Sequence, residues 1–149
     1  MTMPATTEKR SNTAADYKAF IASLQLYTIG LAESSCEINR EAYWEEGQEQ
    51  SISYKLTSKP LQSDHGHFDV RSALTLNVSR EKSKPPVIRV AVAFDLHFHA
   101  ESLTKEFVEK FCESEIQLIV WPYFREYVTN ITARMHIPPV ILPLSNKSE

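Results

Sequence analysis

The stretch Val87–Glu113, VIRVAVAFDLHFHAESLTKEFVEKFCE, changes its apolar period once, just after His99. Up to that point Ile88, Val90, Val92, Phe94, Leu96 and Phe98 go one way, while Arg89, Asp95, His97 and His99 go the other. A period of two belongs to a strand with one covered face and one open face. Beyond it, Leu103, Phe107 and Phe111 recur every fourth residue, with Lys105, Glu106, Glu109 and Lys110 on the free side. That is a helix over Leu103–Glu113 laid on a core. Strands that give way once to helices imply an α+β fold.

Reading back from Val87, Phe68–Arg80 alternates in the same manner, with Phe68, Val70, Leu74, Leu76 and Val78 on one face. Ser51–Ser58 places Ile52, Tyr54 and Leu56 together. Leu24–Ile38 is also strand-like, but its apolar residues switch sides between Leu26 and Tyr27, which predicts a bulge or burial on both faces. Asp16–Leu24 reads as a short helical turn and Glu41–Gln50 as a charged connector. Lys59–Gly66 and Arg80–Pro86 are short, turn-rich links of hairpin type, so the economical topology is a four-stranded meander.

Reading forward from Glu113, a second helix starts at Ser114 with Gln117 as its capping-box partner. Its stripe is Ile116, Val120, Phe124 or Tyr123, Tyr127, Ile131 and Met135; Pro122 kinks it or moves its start to about Trp121. His136-Ile137-Pro138-Pro139 ends it, and Val140–Leu144 is held extended by its flanking prolines. The expected architecture is a four-stranded antiparallel sheet followed by two helices, in one domain over residues 16–144. A flexible arm (1–15) precedes it and a short polar tail (145–149) follows.

Composition narrows the function. A net charge of -3 over 149 residues gives no reason to expect nucleic acid or an anionic membrane. Cys36 and Cys112 are far apart and read as free thiols of a reducing compartment. Met1–Asp16 lacks the apolar core of a secretory signal. The apolar run Ile116–Phe124 is interrupted by Pro122 and falls short of the ~20 residues that span a bilayer. A cytoplasmic protein is expected. Gly30, Gly47 and Gly66 are scattered, so no phosphate-cradling loop is present.

Four groups of side chains invite a chemical reading. Asp95, His97 and His99 share a strand face that suits zinc or nickel, but same-face neighbours on a strand stand about 7 Å apart and no fourth ligand is evident. Asp64, His65 and His67 surround Gly66 in what reads as a solvated hairpin tip. Cys112 has no local nucleophile signature, and Glu113 and Glu115 sit at a helix junction where acidic residues are ordinary. No catalytic residue, metal or cofactor is expected, and the chain reads as a non-enzyme. What remains is a surplus of apolar surface. Trp121, Tyr123, Phe124 and Tyr127 crowd one helix beside an apolar sheet face, more than this core encloses, which points to a binding groove or an oligomer interface.

The run Val120-Trp121-Pro122-Tyr123-Phe124-Arg125-Glu126-Tyr127-Val128-Thr129-Asn130-Ile131-Thr132-Ala133-Arg134, followed by Ile137-Pro138-Pro139-Val140-Ile141-Leu142-Pro143, resembles the SecB chaperone family. Leu26-Tyr27-Thr28 resembles the start of that family's first strand, and the order of elements matches over about Tyr17–Leu144. The resemblance implies an ATP-independent holdase, assembled as a dimer of dimers, that wraps unfolded polypeptide in apolar grooves. It makes Ile52, Tyr54, Leu56, Phe98, Trp121, Phe124, Val140 and Leu142 the client-binding candidates. The acidic positions by which export chaperones of the family dock on the translocase motor fall on Gly30, Ser34 and Ala91, and the chain closes on Ser145-Asn146-Lys147-Ser148-Glu149 rather than on an acidic tail. These departures favour the SecB-like branch of toxin–antitoxin–chaperone systems, whose client is an antitoxin tail, over general preprotein export. An adaptor that grips a folded partner with the same sheet is the alternative of another class.

Overall fold

The computed structural model describes residues 14–44, 49–80 and 85–145. Its elements run α1 (Ala14–Ser23), β1 (Gln25–Ile38), α2 (Arg40–Tyr43), β2 (Ser51–Asp64), β3 (His67–Ser79), β4 (Ile88–His99), α3 (Lys105–Glu113) and α4 (Ile116–Ala133). Most of the expected arm, parts of the links 41–50 and 80–86, and the end of the polar tail lie outside the described residues. No helix among the described residues is long and apolar enough to cross a membrane.

The four strands form one antiparallel sheet, but its order is β1-β4-β3-β2 and not that of a meander. β2, β3 and β4 follow one another by hairpins, while β1 crosses over to pair with β4, a reversed Greek key. The reason lies in the burial each strand needs. β3 and β4 bury nearly every second side chain, from Phe68 to Val78 and from Ile88 to Phe98 with Phe94 half-buried, so they take the central places. β1 and β2 carry more polar sequence and take the edges.

The side-switch in β1 is real. Its register against β4 slips between Leu26 and Thr28 and again between Leu31 and Glu33, two irregularities that keep Leu26, Ile29 and Cys36 against the core. β2 runs on to Asp64, beyond the expected end at Ser58, with Pro60 inside it. An edge strand tolerates a residue with no N–H to donate. The hairpin tip is only His65 and Gly66, with φ of 44° and 84°, the left-handed pair of a tight two-residue turn.

α1, α3 and α4 close one face of the sheet over a core that includes Phe20, Phe68, Phe98, Phe111 and Phe124. α3 starts where Thr104 accepts a hydrogen bond from the Phe107 N–H at 3.2 Å. α4 begins at Ile116 and continues past Pro122, so its start is not displaced to Trp121. The expected Ser114–Gln117 capping box is absent as well. Ser114 ends α3, its hydroxyl donating to the Lys110 carbonyl, and α4 begins without a side-chain cap.

Candidate functional site

Ile52, Tyr54 and Leu56 alternate along β2 and pair with Val78, Leu76 and Leu74, so they face the helices. Because β2 is an edge, that face is only partly covered: Tyr54 and Leu56 are half-buried and Ile52 is 48% exposed. The Tyr54 ring lies 5.3 Å from the ring of Trp121 on α4. Further along the strand a cavity of about 610 Å³ opens between β2 and the start of α3, lined by Pro60, Leu61, Leu103 and Val108, with Asp64, Lys105 and Glu109 among the polar groups at its margin. Leu61 is 48% exposed there. One strand edge thus offers apolar side chains over about ten residues, or roughly 30 Å at the rise of an extended chain.

Trp121 is buried in the core and also reaches the C-terminal segment. Its Nε1–H donates to the Pro143 carbonyl at 2.8 Å. Arg125 Nε donates to the Leu142 carbonyl at 3.1 Å, and Thr129 Oγ1 to that of Val140 at 3.4 Å. Val140 is half-buried and Leu142 fully buried against the core. The structure therefore brings Ile52, Tyr54, Leu56, Trp121, Val140 and Leu142 into one region. It separates Phe98 and Phe124 from that surface. Phe98 stacks on Phe68 at 5.1 Å, Phe124 packs 5.3 Å from Phe94, and neither has any solvent exposure. Both sit on the buried side of their elements, a place that alternation alone assigns to core and groove alike.

Pro60, Leu61, Arg125, Thr129 and Thr132 are the residues of this region that sequence reasoning passes over. For the three on α4 the signal lies in the spacing, with side chains able to hydrogen-bond at 125, 129 and 132 next to a proline-held extended segment.

Several of the polar groups with a chemical reading have structural partners. Arg71 forms two hydrogen bonds to Asp95, at 2.7 and 3.0 Å, which hold the Asp95 carboxyl below its usual range. His97 pairs with Asp69, directly across the β3–β4 ladder, and Asp95 with Arg71, so Asp95, His97 and His99 do not converge. Among the described residues no group of three His, Cys, Asp or Glu is arranged to hold a metal ion. Instead His67, His97 and His99 cluster beneath the Tyr27 ring, which stacks on His99 at 5.9 Å. Burial, with Glu109 and Glu113 adding, pushes the Cys112 thiol up to about 11, the reverse of what an activated nucleophile needs. Glu115 accepts from Tyr17 at 2.5 Å and also from Ser114, a structural tie between α1 and the α3–α4 junction. Of the three positions where export chaperones carry docking acids, Gly30 and Ala91 share the outer face with Asp95, while Ser34 turns inward to the Tyr127 hydroxyl.

No family model matches the chain, and no curated protein matches it by sequence. Solved structures do. A SecB-like chaperone of Mycobacterium tuberculosis, Rv1957, in complex with a ChAD peptide from the HigA1 antitoxin, superposes with a TM-score of 0.64 at 21% identity, over 83% of this chain and 92% of that one. A protein of unknown function from Streptococcus agalactiae gives a TM-score of 0.45 at 10% identity, over 81% and 97% of the two chains. The chain has the SecB-like fold, as the run from Val120 to Pro143 led us to expect.

Proposed function

We propose that this protein is a cytoplasmic, ATP-independent holdase that binds extended, aggregation-prone polypeptide along the inner edge of its sheet. Its favoured client is the tail of an antitoxin, so that the chaperone governs the activity of a toxin. The observation that carries this reading is the half-covered apolar face of β2, from Ile52 to Leu61, beside Trp121 in a SecB-like fold. The solved SecB-like chaperone in complex with an antitoxin peptide supports the choice of client. Apolar contact without direction suits a chaperone, because it holds many sequences and reads none. Assembly as a dimer of dimers belongs to the same proposal. Docking on a translocase motor does not, since Gly30 and Ala91 offer no acid and Asp95, across the ladder from Gly30, is held by Arg71.

The test is binding of labelled unfolded peptides, followed by anisotropy, to the wild type and to the Ile52→Asp/Leu61→Asp double variant. Burying one such side chain contributes about 1.5–3 kcal/mol, so the variant should bind roughly tenfold to a hundredfold more weakly or worse, with an unchanged melting temperature. Affinity confined to a folded partner, with none for unfolded peptides, would favour an adaptor and sink the holdase.

A further inference from the structure

The C-terminal segment is held to α4 through its main chain. Trp121, Arg125 and Thr129 stand four residues apart on one side of the helix and donate to the carbonyls of Pro143, Leu142 and Val140, in that order. Thr132, wholly buried, completes the row: its hydroxyl accepts from the Val140 N–H at 2.9 Å and donates to the Val128 carbonyl at 2.7 Å. The segment therefore runs antiparallel to α4. The spacing fits, since eight helical residues rise about 12 Å and three extended ones about 10 Å. Apart from the Thr132 bond to Val128, each of these hydrogen bonds ends on a main-chain atom of the segment. Its side chains alternate as in any extended peptide, with Leu142 2% exposed and Ile141 71% exposed.

The root of the segment is fixed. Met135 and Ile137 are buried, and Arg40 Nη1 donates to the Met135 carbonyl at 2.6 Å. Beyond Pro138-Pro139, one fully buried side chain and the row of main-chain bonds hold it.

We propose that Trp121, Arg125, Thr129 and Thr132 form a reader of extended main chain, and that Val140–Pro143 fills it as an internal stand-in which a client segment displaces. The occupant is thus an extended apolar stretch of an unfolded polypeptide, chemically the same as the segment now seated there. Carbonyls and amides are common to every sequence, so such a row adds affinity without selectivity, while the built-in competitor keeps the apolar site covered when no client is bound. The proposal rests on the holdase reading above and adds a regulation to it.

Two measurements on the full chain test it, both with a reduced and alkylated, permanently unfolded polypeptide as probe. The first compares the affinity of the wild type with that of Leu142→Ser, whose segment has lost its anchor. Because apparent affinity scales with the fraction of molecules whose site is free, the variant should bind about fivefold tighter or more. Adding Arg125→Ala to Leu142→Ser should then weaken binding several-fold, since the client takes over the same row. The second follows hydrogen exchange in the wild type, where saturation with probe should strip protection from the Val140 amide and leave the amides of β3 and β4 unchanged. That readout does not depend on how well any variant folds. Binding by the wild type with Val140 still protected overturns the stand-in alone, as does unchanged or weaker affinity in a folded Leu142→Ser. No binding by either protein overturns the holdase reading and this one together.

Discussion

Glu115 shows how the polar residues at the helix junctions serve the fold. Burial alone would raise its carboxyl, but hydrogen bonds from Ser114 and Tyr17, with Lys110 nearby, outweigh that and hold it below its ordinary value of 4.5. A carboxylate lowered in the folded state contributes stability above its unfolded value and loses that contribution as pH falls through the folded one. Tyr17 works in the opposite sense: burial and then the neighbouring Glu115 raise its phenol, so its contribution fades only at strongly alkaline pH. Glu115→Gln should therefore flatten the fall in melting temperature between about pH 5 and 3 relative to wild type. Superimposable thermal profiles across that range would show the tie to be idle. In the sequence Glu115 was visible only as an acid at a helix boundary, because its partner, Tyr17, lies 98 residues away.

Elements were more legible than their boundaries. Alternation located all four strands, and the side-switch after Leu26 foretold the irregular register of β1. Strand order was hidden, because hairpin-length links fix only which neighbours can pair; the heavier burial demand of β3 and β4 then draws them to the centre. Helix starts were misplaced by local chemistry. Periodicity put the start of α3 at Leu103, whereas the chain turns helical after Thr104, whose side chain takes the Phe107 N–H. Loss of such a cap costs about 1 kcal/mol, or about 2–4 °C for a chain of this size. Thr104→Ala should lower the melting temperature by that amount, and Thr104→Ser should restore it, as calorimetry can read. An equal loss in both variants would mean that Thr104 acts through packing of its methyl group.

For the whole molecule, the partition of apolar surface between groove and interface was beyond reach of the sequence, since both uses ask for the same residues. The structure divides it by position. The β2 side carries the exposed Ile52 and Leu61, which we propose hold the client. The opposite margin carries another exposed set: Leu31 on β1 is 56% exposed and sits across the ladder from Phe94, whose ring lies 6.3 Å from that of the exposed Tyr123 on α4. β1 is also an edge of 14 residues, and an unpaired edge of that length flanked by apolar side chains is a template for another chain. If the β1 side joins copies while the β2 side stays open for clients, assembly and binding do not compete for surface. Light scattering after size exclusion should then give about four times the 17.0 kDa of one chain. Leu31→Asp/Tyr123→Ser should reduce the mass to a dimer or a monomer and leave the melting curve of each chain cooperative. Peptide affinity per chain should survive in that variant, because Ile52, Tyr54 and Trp121 belong to one chain. A wild-type protein that elutes as a monomer would remove the division of labour, and a smaller variant that no longer binds peptide would place the groove across the interface.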